Sequence, residues 1–462
     1  MIDIATTRSV ADSGTPAREF DTRSAMPTIL FVVVWALVLF TFSMPDRADG
    51  VGTIDIISKL KLAARGVSLL ILSVMLLRQF GSLRGSAVMK TLLPFGLFVI
   101  WGMVSVAWSP LKSVSAGQIG SFAVLVLLAA NIATYWKSNA CTSQVFFQLS
   151  LVLLFFNVGL VAVRFLFADL GSAIRSEDAL VHSTMAGANA SLGIILLFGA
   201  RMVWGWRWSR VLLLPGVAVH ATQLYLAHSR TAMAATILAC TLLYVVFVNR
   251  QLIWAGLLLA CCAAGVYLAF DPAFELMGSV VSSGTEYAER DEHSSISNFS
   301  GRSEMWEVVW QSFMTSPLIG HGYFVSSATG ELLVWYEYGN WTAHNGALQV
   351  LVSTGLIGGL LMLWGLGRPA RIMLASLRQG TETNRLIHFL LVLATWFFVW
   401  GTMNETFVGP LQPESVVFFA MLGLGIGGAL SVLQSANNKS PAAATSYVTL
   451  PTRQETGGLG PA

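Results

Sequence analysis

The 462-residue chain is 55% hydrophobic and only 11% charged, where a soluble domain averages roughly 25% charged residues. It cannot cover a water-facing surface, so one polytopic membrane protein replaces the several soluble domains that length alone would allow. A formal net charge of +3, with no basic run or aromatic-basic patch, gives no ground for a nucleic-acid partner.

Residues 1–26 are polar and carry no small-residue cleavage site, so they read as a cytoplasmic tail and not as a cleaved signal peptide. A bilayer core of about 30 Å needs about 20 mostly apolar residues per helix. Apolar stretches meet that need near 27–44, 64–80, 91–108, 115–135, 145–168, 186–206, 211–227, 231–249, 252–270, 346–366, 385–402 and 414–433. The expected fold is therefore all-α, a transmembrane bundle of about 12 spans, nine within 27–270 and three within 346–433. Two short pieces, 211–227 and 231–249, leave eleven to thirteen spans open. With the N-terminal tail inside, the short cytoplasmic loops hold twelve Lys and Arg residues against seven in the short outer loops. An excess of that kind marks the cytoplasmic side, although four of the seven outer charges cluster in the first loop. Cys141, Cys240, Cys261 and Cys262 show neither disulfide nor metal-ligand spacing.

Under this topology polar residues gather at the outer ends of the spans. "VHSTMAGANASLG" leads into span six and contributes His182 and Asn189. "LAHSRTAMAATI" puts Arg230 in a tight connection between spans seven and eight. Residues 271–345 form one long outer loop, and "SGRSEMWEVVWQSFMTSP" within it has helical periodicity, with Met305, Val309 and Phe313 on one stripe. Ser300 or Ser303 can cap this amphipathic helix and Pro317 ends it, while Trp306 and Trp310 suit a membrane interface. Arg302 stands in its first turn. "SPLIGHGYF" then supplies His321 and Tyr323, and "TAHNGALQ" puts His344 and Asn345 directly before span ten. Residues 434–462, rich in Ser, Ala, Pro and Gly, read as a disordered cytoplasmic tail.

Each of these residues has an ordinary reading. Arg230 can snorkel at the interface, and Arg302 is a solvated first-turn residue, though a cation there opposes the helix dipole. His321 can be a turn residue between two glycines, Tyr323 an interface aromatic, and His344 a cap for span ten. His220, inside span seven, reads as a satisfied intramembrane group. "GLGIGG" near Gly423, like Gly355, Gly358 and Gly359, reads as close helix packing. Glu177, Asp178, Glu405 and Glu414 are scattered and read as solvated loop charges. Taken together, however, two arginines and two histidines on one face make an anion site with a base beside it. Guanidinium groups grip phosphate oxygens, fixed cations stabilise a departing diphosphate, and an imidazole accepts the proton of an attacking hydroxyl. This suits sugar transfer from a lipid diphosphate. The absence of HExxH, DxD and Walker A segments calls for no metal or nucleotide cofactor.

"SRTA" (229–232), "SGRSEMW" (300–306), "PLIGHGYF" (317–324) and "AHNGALQVLVSTGLIGG" (343–359), in this order, resemble the O-antigen ligase and polymerase superfamily, and within it the exopolysaccharide-polymerase branch. "GANASLG" (187–193) matches more loosely, and the likeness spans about 180–365. The resemblance implies a metal-independent, inverting glycosyltransferase of the bacterial inner membrane. It would polymerise, or ligate, undecaprenyl-diphosphate-linked oligosaccharide at the periplasmic face for exopolysaccharide or O-antigen synthesis. Arg230 and Arg302 would hold the diphosphate and His344 would assist the acceptor. His321, Tyr323, Asn345, His182 and Asn189 are candidate substrate contacts, although many members carry an aromatic residue at the position of His321. Besides the lipid-linked substrate, the partners it implies are membrane lipids, a chain-length regulator and export proteins. The alternative from another class is a transporter or flippase of lipid-linked saccharide, in which the same arginines only bind the diphosphate. The sequence does not separate polymerase from ligase.

Overall fold

The structure, a computed structural model, describes residues 26–40, 56–166, 183–227, 229–248, 302–326, 334–335, 342–379, 383–405 and 411–439. Residues 1–25 and 440–462 of the expected tails, the expected span at 252–270, the long loop before Arg302, and His182 lie outside the described residues, whereas 434–439, expected in the disordered tail, continue the last helix.

Twelve helices follow in chain order among the described residues: α1 (Thr28–Leu39), α2 (Ile56–Leu77), α3 (Leu83–Ser105), α4 (Lys112–Tyr135), α5 (Asn139–Leu166), α6 (Ser183–Gly199), α7 (Arg207–Ala227), α8 (Arg230–Phe247), α9 (Arg302–Thr315), α10 (Gly346–Leu377), α11 (Thr383–Gly401) and α12 (Pro413–Lys439). Ten of them are long and apolar enough to cross a membrane, with α6 prolonged to Trp204 by a π-helical turn; α1 is apolar but shorter. All the expected spans within the described residues are present as helices. The two short pieces at 211–227 and 231–249 are full helices: α7 starts earlier, at Arg207, and α8 starts afresh at Arg230.

The bundle is a membrane protein in its surface chemistry. Outer helices carry apolar side chains outward, such as Leu62, Val67 and Leu70 of α2 and Val211 and Leu214 of α7. A helix that is apolar all round belongs in lipid or in a core. The core holds α4, α6 and α12, which are buried on most sides. Edge-to-face contacts among Phe95, Phe98, Phe122 and Phe419 join α3, α4 and α12 there. The "GLGIGG" segment serves packing as expected: a Cβ at Gly423 would stand 2.6 Å from the Ala129 carbonyl of α4.

One glycine acts otherwise. Gly355 has φ 66° and ψ −170°, so α10 is two helices joined at a break. The break frees backbone groups, and the 317–322 segment takes them up. His321 N–H donates to the Val352 carbonyl (3.0 Å) and Gly322 N–H to that of Ser353 (2.9 Å). In return Leu356 N–H donates to Pro317 (2.8 Å) and Ile357 N–H to Leu318 (3.2 Å). The Thr354 carbonyl accepts from Trp101 Nε1 of α3 at 2.9 Å. Backbone groups buried without partners are costly, so this knot makes a mid-bundle break tolerable. The reading of Gly355 as a packing glycine is thereby corrected.

The helix expected in the long loop is α9. Met305, Val309 and Phe313 do form its buried stripe, packed on Val325, Trp335, Ala343 and Val352. It therefore lies on the bundle, over the first half of α10. Of its two tryptophans only Trp310 is exposed as an interfacial residue would be; Trp306 turns inward.

Candidate functional site

Arg230 and Arg302 are each the first residue of a helix, α8 and α9. A helix N-terminus carries partial positive charge and disfavours a cation by some tenths of a kcal/mol up to about 1 kcal/mol. Local preference does not explain either residue; the fold brings both to the same end of the bundle. Burial pulls the Arg302 guanidinium below its ordinary pKa, Glu405 opposes that shift, and Arg230 adds to it by like-charge repulsion. Among the described residues two half-buried cations thus act on each other with the Glu405 carboxylate nearby, an arrangement suited to a multiply charged anion.

His344 is fixed through the residue before it. The Ala343 carbonyl before it accepts from Trp306 Nε1 at 3.0 Å, and Ala343 N–H donates to Gln349 Oε1 at 2.9 Å. Gln349 is fully buried and also donates to the Val325 carbonyl at 2.8 Å. These contacts hold His344 at φ 45°, in the left-handed region. A residue with a Cβ costs roughly 1–2 kcal/mol there, and such strain persists where surrounding contacts over-determine it, as at functional sites. His344 Nδ1 lies 3.5 Å from Glu405 Oε2, and the Thr342 hydroxyl lies 3.4 Å from the same nitrogen. The histidine side chain is 26% exposed and the glutamate 10%. Burial alone would push the Glu405 carboxyl up, yet His344 and the Thr342 hydroxyl outweigh burial and hold it below the ordinary carboxylate value.

Glu405 thus belongs to the site and is no solvated loop charge. Glu414 is not one either: it is fully buried in the first turn of α12, near Glu405 and Trp400. Sequence reasoning passed over both carboxylates, and also Thr342 and Gln349. The only available signal was that Glu405 and Glu414 flank the connection between two spans.

The remaining candidates take other positions. Asn345 caps α10, accepting from Ala347 and Leu348 N–H at 3.0 and 3.1 Å, and donates to the Thr402 carbonyl at 3.2 Å. The cap is therefore Asn345 and not His344. His321 Nε2 bonds the Ser312 carbonyl (2.8 Å) and the Thr315 hydroxyl (3.0 Å), which fastens the last turn of α9. Tyr323 is fully buried in the core beside Phe98, and burial pushes its phenol pKa up. Asn189 is fully buried in α6, and neither its amide nitrogen nor its carbonyl oxygen has a hydrogen-bond partner among the described residues. Its neighbours Gly187 and Ser191 pack against Ser229 and Thr236, which puts Asn189 level with the first turn of α8 below Arg230. His220 is bonded through Nδ1 to Asn157 at 3.2 Å, but its Nε2 has no partner among the described residues, so it is satisfied at one nitrogen only.

The structure is a polytopic helical bundle that gathers two arginines, an imidazole and a buried carboxylate at one end, a set of groups suited to an anion with a base beside it. The comparisons give that class a family. A family model described as O-antigen ligase matches residues 216–363, a range that contains Arg230, Arg302 and His344 but not Glu405. The match covers about a third of the chain and supports membership of the O-antigen ligase/polymerase superfamily, a family of membrane enzymes. No curated protein matches it.

Proposed function

We propose that the protein is an inverting glycosyltransferase that joins polyprenyl-diphosphate-linked saccharide units on the outer side of a bacterial inner membrane. Arg230 and Arg302 hold the donor's diphosphate. His344 takes the proton of the acceptor hydroxyl. The hydroxyl oxygen forms a bond to the donor's anomeric carbon from the face opposite the diphosphate, while the carbon–oxygen bond to the diphosphate breaks and its electron pair leaves with the phosphate oxygen. The proton rests on His344 and passes to water once the new glycoside departs. Negative charge grows on the leaving diphosphate, so cations fixed beforehand stabilise the transition state more than the ground state. The observation that carries this reading is the convergence of Arg230, Arg302 and Glu405-bound His344 from three separated parts of the chain. The exopolysaccharide branch, undecaprenyl as the lipid, and a chain-length regulator and export proteins as partners belong to the same proposal.

The test uses purified protein in proteoliposomes, given the lipid-linked saccharide extracted from cells that carry the protein. Arg230→Ala and Arg302→Ala should each lower turnover by about 100- to 1,000-fold, the usual loss on removing one group that stabilises transition-state charge. His344→Ala should lower it by about 100- to 10,000-fold, the range for a general base. In cells the three variants should stay in the membrane and accumulate single lipid-linked units on the outer leaflet. Accumulation on the inner leaflet would favour the flippase reading, and wild-type polymer in all three would defeat both.

A further inference from the structure

The turn after α11 is built against the start of α10. Asn345 Nδ2 donates to the Thr402 carbonyl at 3.2 Å, Asn404 Nδ2 to the Trp400 carbonyl at 3.3 Å, and Gly346 lies against the carbonyls of Gly401 and Asn404. This brings Glu405 Oε2 to 3.5 Å from Nδ1 of His344. The Thr342 hydroxyl, 3.4 Å from Nδ1, meets the same nitrogen. Among the described residues the contacts of the ring are at Nδ1, which leaves Nε2 for a substrate. The other charged groups facing Glu405 are Arg302 of α9, Glu414 of α12, and Arg230 of α8 through Arg302.

Resting on the reading of His344 as the base, we propose that Glu405 is its positioning residue: it holds Nδ1 so that Nε2 faces the acceptor hydroxyl, and it stabilises the imidazolium that forms when the proton arrives. A carboxylate already in place when positive charge develops on the ring favours the transition state over the ground state. The competing role is that of a counter-ion for the two arginines. It would act on donor binding instead, so the two roles separate in the kinetics.

The experiment measures kcat and donor KM in proteoliposomes with the extracted lipid-linked saccharide, for Glu405→Gln, Glu405→Asp, His344→Gln and Glu405→Gln with His344→Gln. Glu405→Gln keeps the side chain's shape and removes its charge. We expect kcat to fall by about 100-fold or more with donor KM changed less than about threefold. Glu405→Asp should recover part of that kcat. Added to His344→Gln, the Glu405→Gln change should cost nothing further, since residues acting as a unit are non-additive. A Glu405→Gln loss of equal size in the His344→Gln background, or a raised donor KM with kcat intact, overturns the proposal while leaving the reading of the site in place. Wild-type kcat in His344→Gln overturns the reading itself. If Glu405→Gln does not reach the membrane, Glu405→Asp carries the test: unchanged kcat there, or a loss that persists in the His344→Gln background, overturns the proposal.

Discussion

Glu405 shows how a residue changes meaning with its surroundings. On the sequence it is a carboxylate in a turn between two spans, where solvation is the default. In the fold its carboxyl is 10% exposed and faces His344. Because its pKa is held below the ordinary value of 4.5 when folded, its charge stabilises the native state above that pH, and the contribution is lost as pH falls through the folded value. The thermal midpoint of the solubilised protein should therefore drop on acidification below about pH 4.5 by more than that of Glu405→Gln, and an equal drop would contradict the pairing. His344, Arg230 and Arg302 were legible in the sequence because their side-chain chemistry limits what they can do at a membrane surface. Glu405 was not, because its protonation and its partner are properties of the packed turn.

At the scale of elements, the link between α9, the 317–324 segment and the broken α10 decides how the site holds together. Gly355 and Gly320 both have positive φ, and each meets backbone where a Cβ would stand: Gly355 against Leu318, Gly320 against Ser353. Alanine at 355 would add a left-handed cost of about 1–2 kcal/mol to an overpacking cost of about 1–3 kcal/mol. Gly355→Ala should thus lose several kcal/mol and lower the thermal midpoint markedly. Gly96→Ala in α3, where nothing stands within 4 Å of the added Cβ, should be neutral or stabilise by up to about 1 kcal/mol. Equal effects of the two substitutions would rule out the backbone knot as a stabilising device. The period of Met305, Val309 and Phe313 predicted the helix and its buried face correctly. It could not tell whether that face met lipid or protein, since both accept the same side chains.

For the whole molecule, the site lies at one end of the bundle, where α3, α7 and α11 end and α4, α8, α10 and α12 begin. At the other end Arg84 ties α3 to the Gly427 carbonyl of α12 and the Ala133 carbonyl of α4. The proposed reaction needs the site end to be the outer one, the orientation that the charge asymmetry of the loops favours. In a cysteine-free background, Gln311→Cys on α9 should react with a membrane-impermeant maleimide in intact cells. Gln379→Cys, beyond the end of α10, should react only after permeabilisation. The opposite pattern would reverse the orientation and remove the outer-face reaction with it.

The sequence by itself determined that the chain is a membrane bundle, where most of its helices run, and which cationic and imidazole groups stand at their ends. Hydrophobic run length and charge bias are local quantities, and a bilayer reads them directly. Tertiary structure alone decided that Gly355 breaks α10, that His321 and Asn345 serve the scaffold, and that Glu405 stands behind His344. Each depends on backbone and side chains from distant parts of the chain meeting at 3–4 Å, and no run length or local period encodes such a meeting.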